Sequence, residues 1–248
     1  MNAPAIRADP TSALRQDLSD ALRICHALGW SESVGNHFSA AVSTDGQQFL
    51  LNPRWLHFAT VAPQDLLYLD SRDTDVLSRP DAPDASAWCV HGTLHRRAPN
   101  ARVILHAHSP YATALACLKD PTVVPIDNNT ARFYGRTAYD LSFGGIADAE
   151  EEGERLADAL GDKQVLVMGN HGITIVGETV ADAFEDLYFF EKAAQTLILA
   201  RSSGAPLAVL SDAVAQNTAD GWRAYRGMAE QHFTYLRSVL PDLPSAPH

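Results

Sequence analysis

Val103-Ile104-Leu105-His106-Ala107-His108-Ser109 is the stretch from which the rest of the chain can be read. Three apolar residues run into two histidines at i and i+2. Successive side chains on a β-strand alternate faces, so His106 and His108 share one face of a rigid strand. Two imidazoles held that way can share a divalent ion. Taken alone, the spacing fits a pair of surface histidines at a strand end equally well. Asn170-His171-Gly172 shifts the balance, because it also follows an apolar run, Gln164-Val165-Leu166-Val167-Met168. Three histidines at the ends of two buried-type strands read as a three-ligand metal centre with open positions. Such a centre is catalytic rather than closed and structural.

The chain has 248 residues, enough for one large domain or two small ones. Apolar residues make up 46% and charged residues 20%, as in an ordinary globular protein. A formal net charge of -11 excludes nucleic acid and an anionic membrane as expected partners. Cys25, Cys89 and Cys117 are scattered without CxxC spacing, which suits reduced thiols in a cytoplasm. Cys89 and Cys117 lie in apolar helical patterns, where buried, inert thiols are expected. The first residues lack the apolar region of a signal peptide. No run approaches the ~18 apolar residues of a membrane span.

Working outward, residues 1–10 are expected to be a disordered N-terminus, followed by a single domain over 11–248 with a helical extension from about 206. Leu14, Leu18, Ala21, Leu22, Cys25 and Leu28 keep helical spacing, and Gly29 supplies a stop. The 33–42 segment is a turn leading into a strand, and Thr44-Asp45-Gly46 turns it back through Gln48-Phe49-Leu50-Leu51. Another short strand is expected at 66–70. Asp84 caps a helix to Ala98, and Ser109-Pro110 opens one to Leu118. Val123-Val124-Pro125-Ile126 reads as a strand and Asp127-Asn128-Asn129-Thr130 as a polar run. A helix over 153–160 is entered through Glu150-Glu151-Glu152. Residues 173–177 form a strand, and Thr179 caps a long helix to about Arg201. Residues 211–240 read as one further helix. The elements predict an α/β domain with a mixed sheet covered by helices.

Four stretches carry a family resemblance: Gly35-Asn36-His37-Phe38-Ser39, the 90–99 segment Val90-His91-Gly92-Thr93-Leu94-His95-Arg96-Arg97-Ala98-Pro99, His106-Ala107-His108-Ser109, and Asn170-His171-Gly172 followed by Val176-Gly177-Glu178-Thr179-Val180. In this order the sequence resembles the class II aldolase/adducin superfamily over roughly residues 11 to 205, on its adducin-like bacterial branch. The resemblance implies an α/β/α sandwich around a mainly antiparallel mixed sheet, assembled as a homotetramer with sites at subunit contacts. It also implies that His106, His108 and His171 bind a divalent metal, Zn²⁺ first, with Mn²⁺ or Fe²⁺ as alternatives. Two departures stand out. The sugar-phosphate aldolases keep a glutamate four residues before the helical histidine, where this chain has Ala87. Their phosphate-binding turn and serine pair are replaced by the 51–58 segment and by Ala85-Ser86, so a non-phosphorylated substrate is expected.

An ion held by neutral imidazoles keeps most of its charge and acts as a Lewis acid on a chelating carbonyl or carboxylate. The resulting enolate stabilisation serves aldol cleavage and decarboxylation alike. Without a glutamate base, decarboxylation is the simpler chemistry, because its carboxylate already carries the charge. A non-haem Fe(II) oxygenase acting on a hydroxy-aromatic acid and a non-catalytic adducin-like scaffold stand as alternatives. His91 and His95 share a helical face at i and i+4, and His91 is the acid/base candidate; a hydrogen-bonded core histidine is its plain alternative. Tyr134 is a second proton donor candidate, across a subunit boundary. Asn36, Arg54 and His57 are the substrate-binding candidates, Asn36 as a brace for a loop beside the pocket.

Overall fold

Short runs with one apolar face build the sheet, and each helix adds a stripe of apolar residues to cover it. The computed structural model describes residues 9–145, 150–225 and 227–240. Most of the expected N-terminal disordered segment, and residues 241–248 of the expected C-terminal extension, lie outside the described residues. The strands are β1 (His37–Ala41), β2 (Gln48–Leu51), β3 (Leu67–Asp70), β4 (Val103–Ala107), β5 (Thr137–Asp140), β6 (Val165–Met168) and β7 (Gly172–Gly177). They form one sheet in the order β3-β2-β1-β4-β7-β6-β5. Every pairing is antiparallel except β5 with β6. The helices are α1 (Ser12–Ala27), α2 (Ala85–Arg97), α3 (Pro110–Ala116), α4 (Asn128–Arg132), α5 (Glu150–Leu160), α6 (Val180–Ser202), α7 (Asp212–Ala224) and α8 (Met228–Val239).

The alternation of β4 shows how the sheet is covered. Val103, Leu105 and Ala107 join a large core with residues of α1, α3, α6 and α8. Ile104 points the other way, into a smaller core with Val90 and Leu94 of α2 and Leu156 and Leu160 of α5. The result is the expected α/β/α sandwich. His106 has the parity of Ile104 and therefore emerges on the α2 and α5 side. β1 follows the same rule: Phe38 and Ala40 enter the large core, while His37 and Ser39 face α2.

Four local expectations are corrected. Residues 123–126 are irregular, although Leu210 N–H reaches back to the Pro125 carbonyl at 2.9 Å; proline cannot donate to a strand ladder. The polar run instead opens α4, because the Asp127 carboxylate accepts from Thr130 N–H at 2.8 Å. The C-terminal helix is two helices, broken ahead of α8 where Gly227 takes φ 85°. Cys117 is exposed rather than buried, since it sits past the last turn of α3.

Two buried acidic groups tie the helices together. Ser109 sits at the N-cap of α3, but its hydroxyl donates to Glu191 of α6 at 2.7 Å instead of capping. Glu191 itself accepts from Tyr111 and Ala112 N–H at 2.8 and 2.9 Å, and so caps α3 from another element. Asp186 accepts from Arg132 at 3.0 Å and from Arg136 at 2.5 Å, locking α4 and the turn after it onto α6.

Candidate metal centre

β4 ends at Ala107 and β7 begins at Gly172, and the two strands are antiparallel neighbours. Their termini therefore meet, which brings residues 106, 108 and 171 to one point. Asn170 takes φ 57°, a left-handed conformation that asparagine tolerates, and so turns the chain between β6 and β7. Gly172 permits the close approach: a Cβ there would lie 2.6 Å from His108 Cδ2 and 2.8 Å from the Ala107 carbonyl.

The three imidazoles form a near-equilateral triangle with ring centroids 4.9 Å apart on every side. One nitrogen from each ring lies within 4.8 Å of the other two. His106 Nε2 and His108 Nε2 approach to 3.1 Å. Nitrogens bound tetrahedrally at zinc bond lengths lie about 3.3 Å apart, so the His106–His108 edge has the length of one side of a coordination face. The outer nitrogens are held separately. Glu32 Oε2 lies 2.7 Å from His108 Nδ1, and Thr174 Oγ1 lies 3.3 Å from His106 Nδ1. His106 and His108 thereby keep Nε2 turned inward, as outer partners of metal-binding histidines do. Burial first, and then His108 beside it, holds His171 at a pKa of about 4. Burial likewise lowers His106, reinforced by His37 and its other neighbours. Rings kept neutral offer lone pairs at ordinary pH, so the donor set fits a divalent ion.

The triad lines a cavity of about 390 Å³, together with Gly35, His37, Ser86, Val90, Phe143, Gly145, Met168 and Asn170. No carboxylate, lysine or arginine belongs to this lining among the described residues. Ala87 is buried against Phe49 and Leu51, turned away from the cavity that neighbouring Ser86 lines.

None of the other sequence candidates lines the cavity. His91 is fully buried and does not line the cavity; its Nε2 lies 2.7 Å from His37 Nδ1. His37 in turn stacks on His106, with centroids 4.7 Å apart and planes 21° from parallel. Asn36 is a brace: its Oδ1 accepts from Glu32 N–H at 2.7 Å, holding the loop whose Glu32 orients His108. Arg54 is exposed, and His57 caps a short 3-10 turn by accepting from Ala59 N–H at 3.2 Å. Neither lines the cavity. Tyr134 follows α4 and faces Asp212, whose hydrogen bond raises its pKa, and it does not line the cavity. Sequence reasoning passed over His37 and Glu32 as site residues. Strand parity could have found His37, since β1 pairs it directly with His106. Glu32 lies in an irregular loop and left no comparable signal.

The family of the class II aldolase and adducin N-terminal domain matches residues 16–198, and the chain belongs to it. A solved aldolase II superfamily protein from Pseudomonas syringae is 28% identical, with a TM-score of 0.84 over 95% of both chains. An L-fuculose 1-phosphate aldolase from Glaciozyma antarctica shares the fold at 20% identity and a TM-score of 0.80, covering 98% of this chain and 96% of its own. Decarboxylase NovR of Streptomyces niveus is 24% identical, covering 91% of this chain and 87% of its own. Human beta-adducin is 26% identical over 77% of this chain but only 26% of its own length. The family thus spans aldolases, a decarboxylase and adducins.

Proposed function

We propose that the chain is a divalent-metal-dependent carbon–carbon lyase acting on a small, non-phosphorylated carboxylate or carbonyl compound, with decarboxylation favoured over aldol cleavage. The observation that carries the reading is the convergence of His106, His108 and His171 on one face of a cavity, with the His106 and His108 rings braced to turn a nitrogen inward. A divalent ion held there, Zn²⁺ in the first instance, supplies Lewis acidity that stabilises an enolate oxygen. The rest follows from the lining. Among the described residues the lining holds no arginine or lysine, and so no clamp for a phosphate dianion. Among the described residues the lining holds no carboxylate to act as base for the hydroxyl proton that aldol cleavage must remove. Decarboxylation begins from charge already on the substrate and needs a proton only at the end. Phe143 and Met168 suit an apolar or aromatic body, and the likeness to a decarboxylase agrees with that. Assembly as a homotetramer belongs to the same proposal, and it is the route by which Tyr134 of a neighbouring copy reaches a site.

The test is elemental analysis of the purified protein, followed by an anaerobic screen of hydroxy-aromatic and keto acids with Zn²⁺ or Mn²⁺. Release of CO₂ without O₂ is expected. Turnover only with iron and O₂ would overturn the lyase reading in favour of an oxygenase.

A further inference from the structure

Behind the triad lies a chain of hydrogen bonds whose direction is fixed at its far end. His95 Nδ1 lies 2.8 Å from the Ala101 carbonyl, which can only accept, so that nitrogen carries the proton. Burial holds His95 at a pKa of about 3, so the ring is neutral and its Nε2 is bare. Ser39 Oγ, 2.7 Å away, must donate its single proton to that nitrogen. Ser39 Oγ can then only accept from His91 Nδ1, at 2.5 Å. Burial also keeps His91 neutral, with His37 and His95 adding to the effect, so its Nε2 is bare. It therefore accepts from His37 Nδ1 at 2.7 Å. His37 is thus a ring whose Nδ1 carries the proton, as the hydrogen bonds behind it require. Its remaining nitrogen, Nε2, is left with a lone pair. His37 lines the cavity beside the triad.

We propose that the Ala101–His95–Ser39–His91 relay fixes the tautomer of His37, and that His37 Nε2 serves as a hydrogen-bond acceptor for a hydroxyl group of the substrate beside the metal centre. The inference deepens the lyase reading and rests on it for the substrate. His37 is then the residue that selects hydroxylated over O-alkylated compounds, while Ser39 and His95 are positioning residues that never touch the ligand. The relay also accounts for a row of polar groups sealed into an otherwise apolar interface between β1 and α2.

Two measurements test it. Nitrogen-15 NMR of histidine-labelled, metal-free protein at pH 7 should show His37 protonated at Nδ1 and bare at Nε2. Ser39→Ala should introduce the other tautomer, and Ser39→Thr, which keeps the hydroxyl, should restore one. A protonated Nε2 in the wild type, or an unchanged tautomer in the folded Ser39→Ala variant, overturns the relay. The second measurement compares binding of 2-hydroxybenzoate and 2-methoxybenzoate to Zn²⁺-loaded wild type and His37→Phe. Because chelation differences cancel between the two proteins, the wild type should prefer the hydroxylated probe by about tenfold more than the variant does. Equal preference in both overturns the acceptor role while leaving the metal centre intact. Four imidazoles around Zn²⁺ by X-ray absorption also overturn it, by assigning His37 to the metal. A wild type that binds no metal defeats the lyase reading, whereas the tautomer measurement stands independently.

Discussion

His108 shows how much of the site depends on residues that never touch a ligand. Its ring is located by the missing side chain at Gly172 and oriented by the carboxylate of Glu32. Gly172→Ala inserts a Cβ where His108 Cδ2 already lies. The variant should fold but bind Zn²⁺ at least tenfold more weakly, which isothermal titration would measure; unchanged affinity would show that the ring has room to move. Glu32→Gln keeps the shape and removes the charge. A loss of about 10–100-fold in metal affinity is expected, as for outer partners of metal-binding histidines generally. The triad itself was legible in the sequence because strand parity and an NHG turn speak directly of position. The supporting residues were less legible: Glu32 lies in a loop, and its pairing with His108 spans 76 positions of sequence.

Among the elements, α3 and α6 form the pair on which β4 ends. Ser109 and Pro110 look like an ordinary helix start, but Glu191 provides the cap. A buried carboxylate holding three donors is costly to remove, because hydrogen bonds to charged groups contribute about 1.5–3 kcal/mol each. Glu191→Ala should therefore destabilise the fold by about 3 kcal/mol or more in urea denaturation; a loss below ~1 kcal/mol would mean that water replaces the carboxylate. Amphipathic spacing made α1, α2 and α6 legible, and their observed ends fall within a residue or two of the expected ones. β5 was not legible, since Thr137-Ala138-Tyr139-Asp140 has little apolar alternation and is a strand because it pairs with β6 at the sheet edge. The break at Gly227 is similar: one glycine inside a helical pattern is decided by how α7 packs on α4 and α8 on α6.

For the molecule as a whole, several histidines are kept neutral inside the fold, and this sets its response to acid. An unfolded histidine takes up its proton near pH 6.5, while His95 does so only near 3 and His37 near 4. Between those values the unfolded chain binds protons that the native chain refuses, so stability is full above about pH 6.5 and falls as pH drops. Each such group contributes at most about 1.4 kcal/mol per pH unit in that window. Denaturation midpoints in the metal-free protein should therefore fall steeply between pH 6.5 and 4, and a flat profile would show that these rings are hydrated. The overall architecture was legible because the motif order marks the family, and the sheet follows from it. The chemistry is less constrained, since related chains include both aldolases and adducins.

The measurement that bears most directly on the whole account is the metal content of the purified chain beside that of His171→Ala. One divalent ion per chain in the wild type, and its loss in the variant with the fold retained by circular dichroism, is the predicted result. A wild type that takes up no ion on reconstitution, or a His171→Ala variant that keeps it undiminished, would contradict the assignment of His106, His108 and His171 as a metal centre.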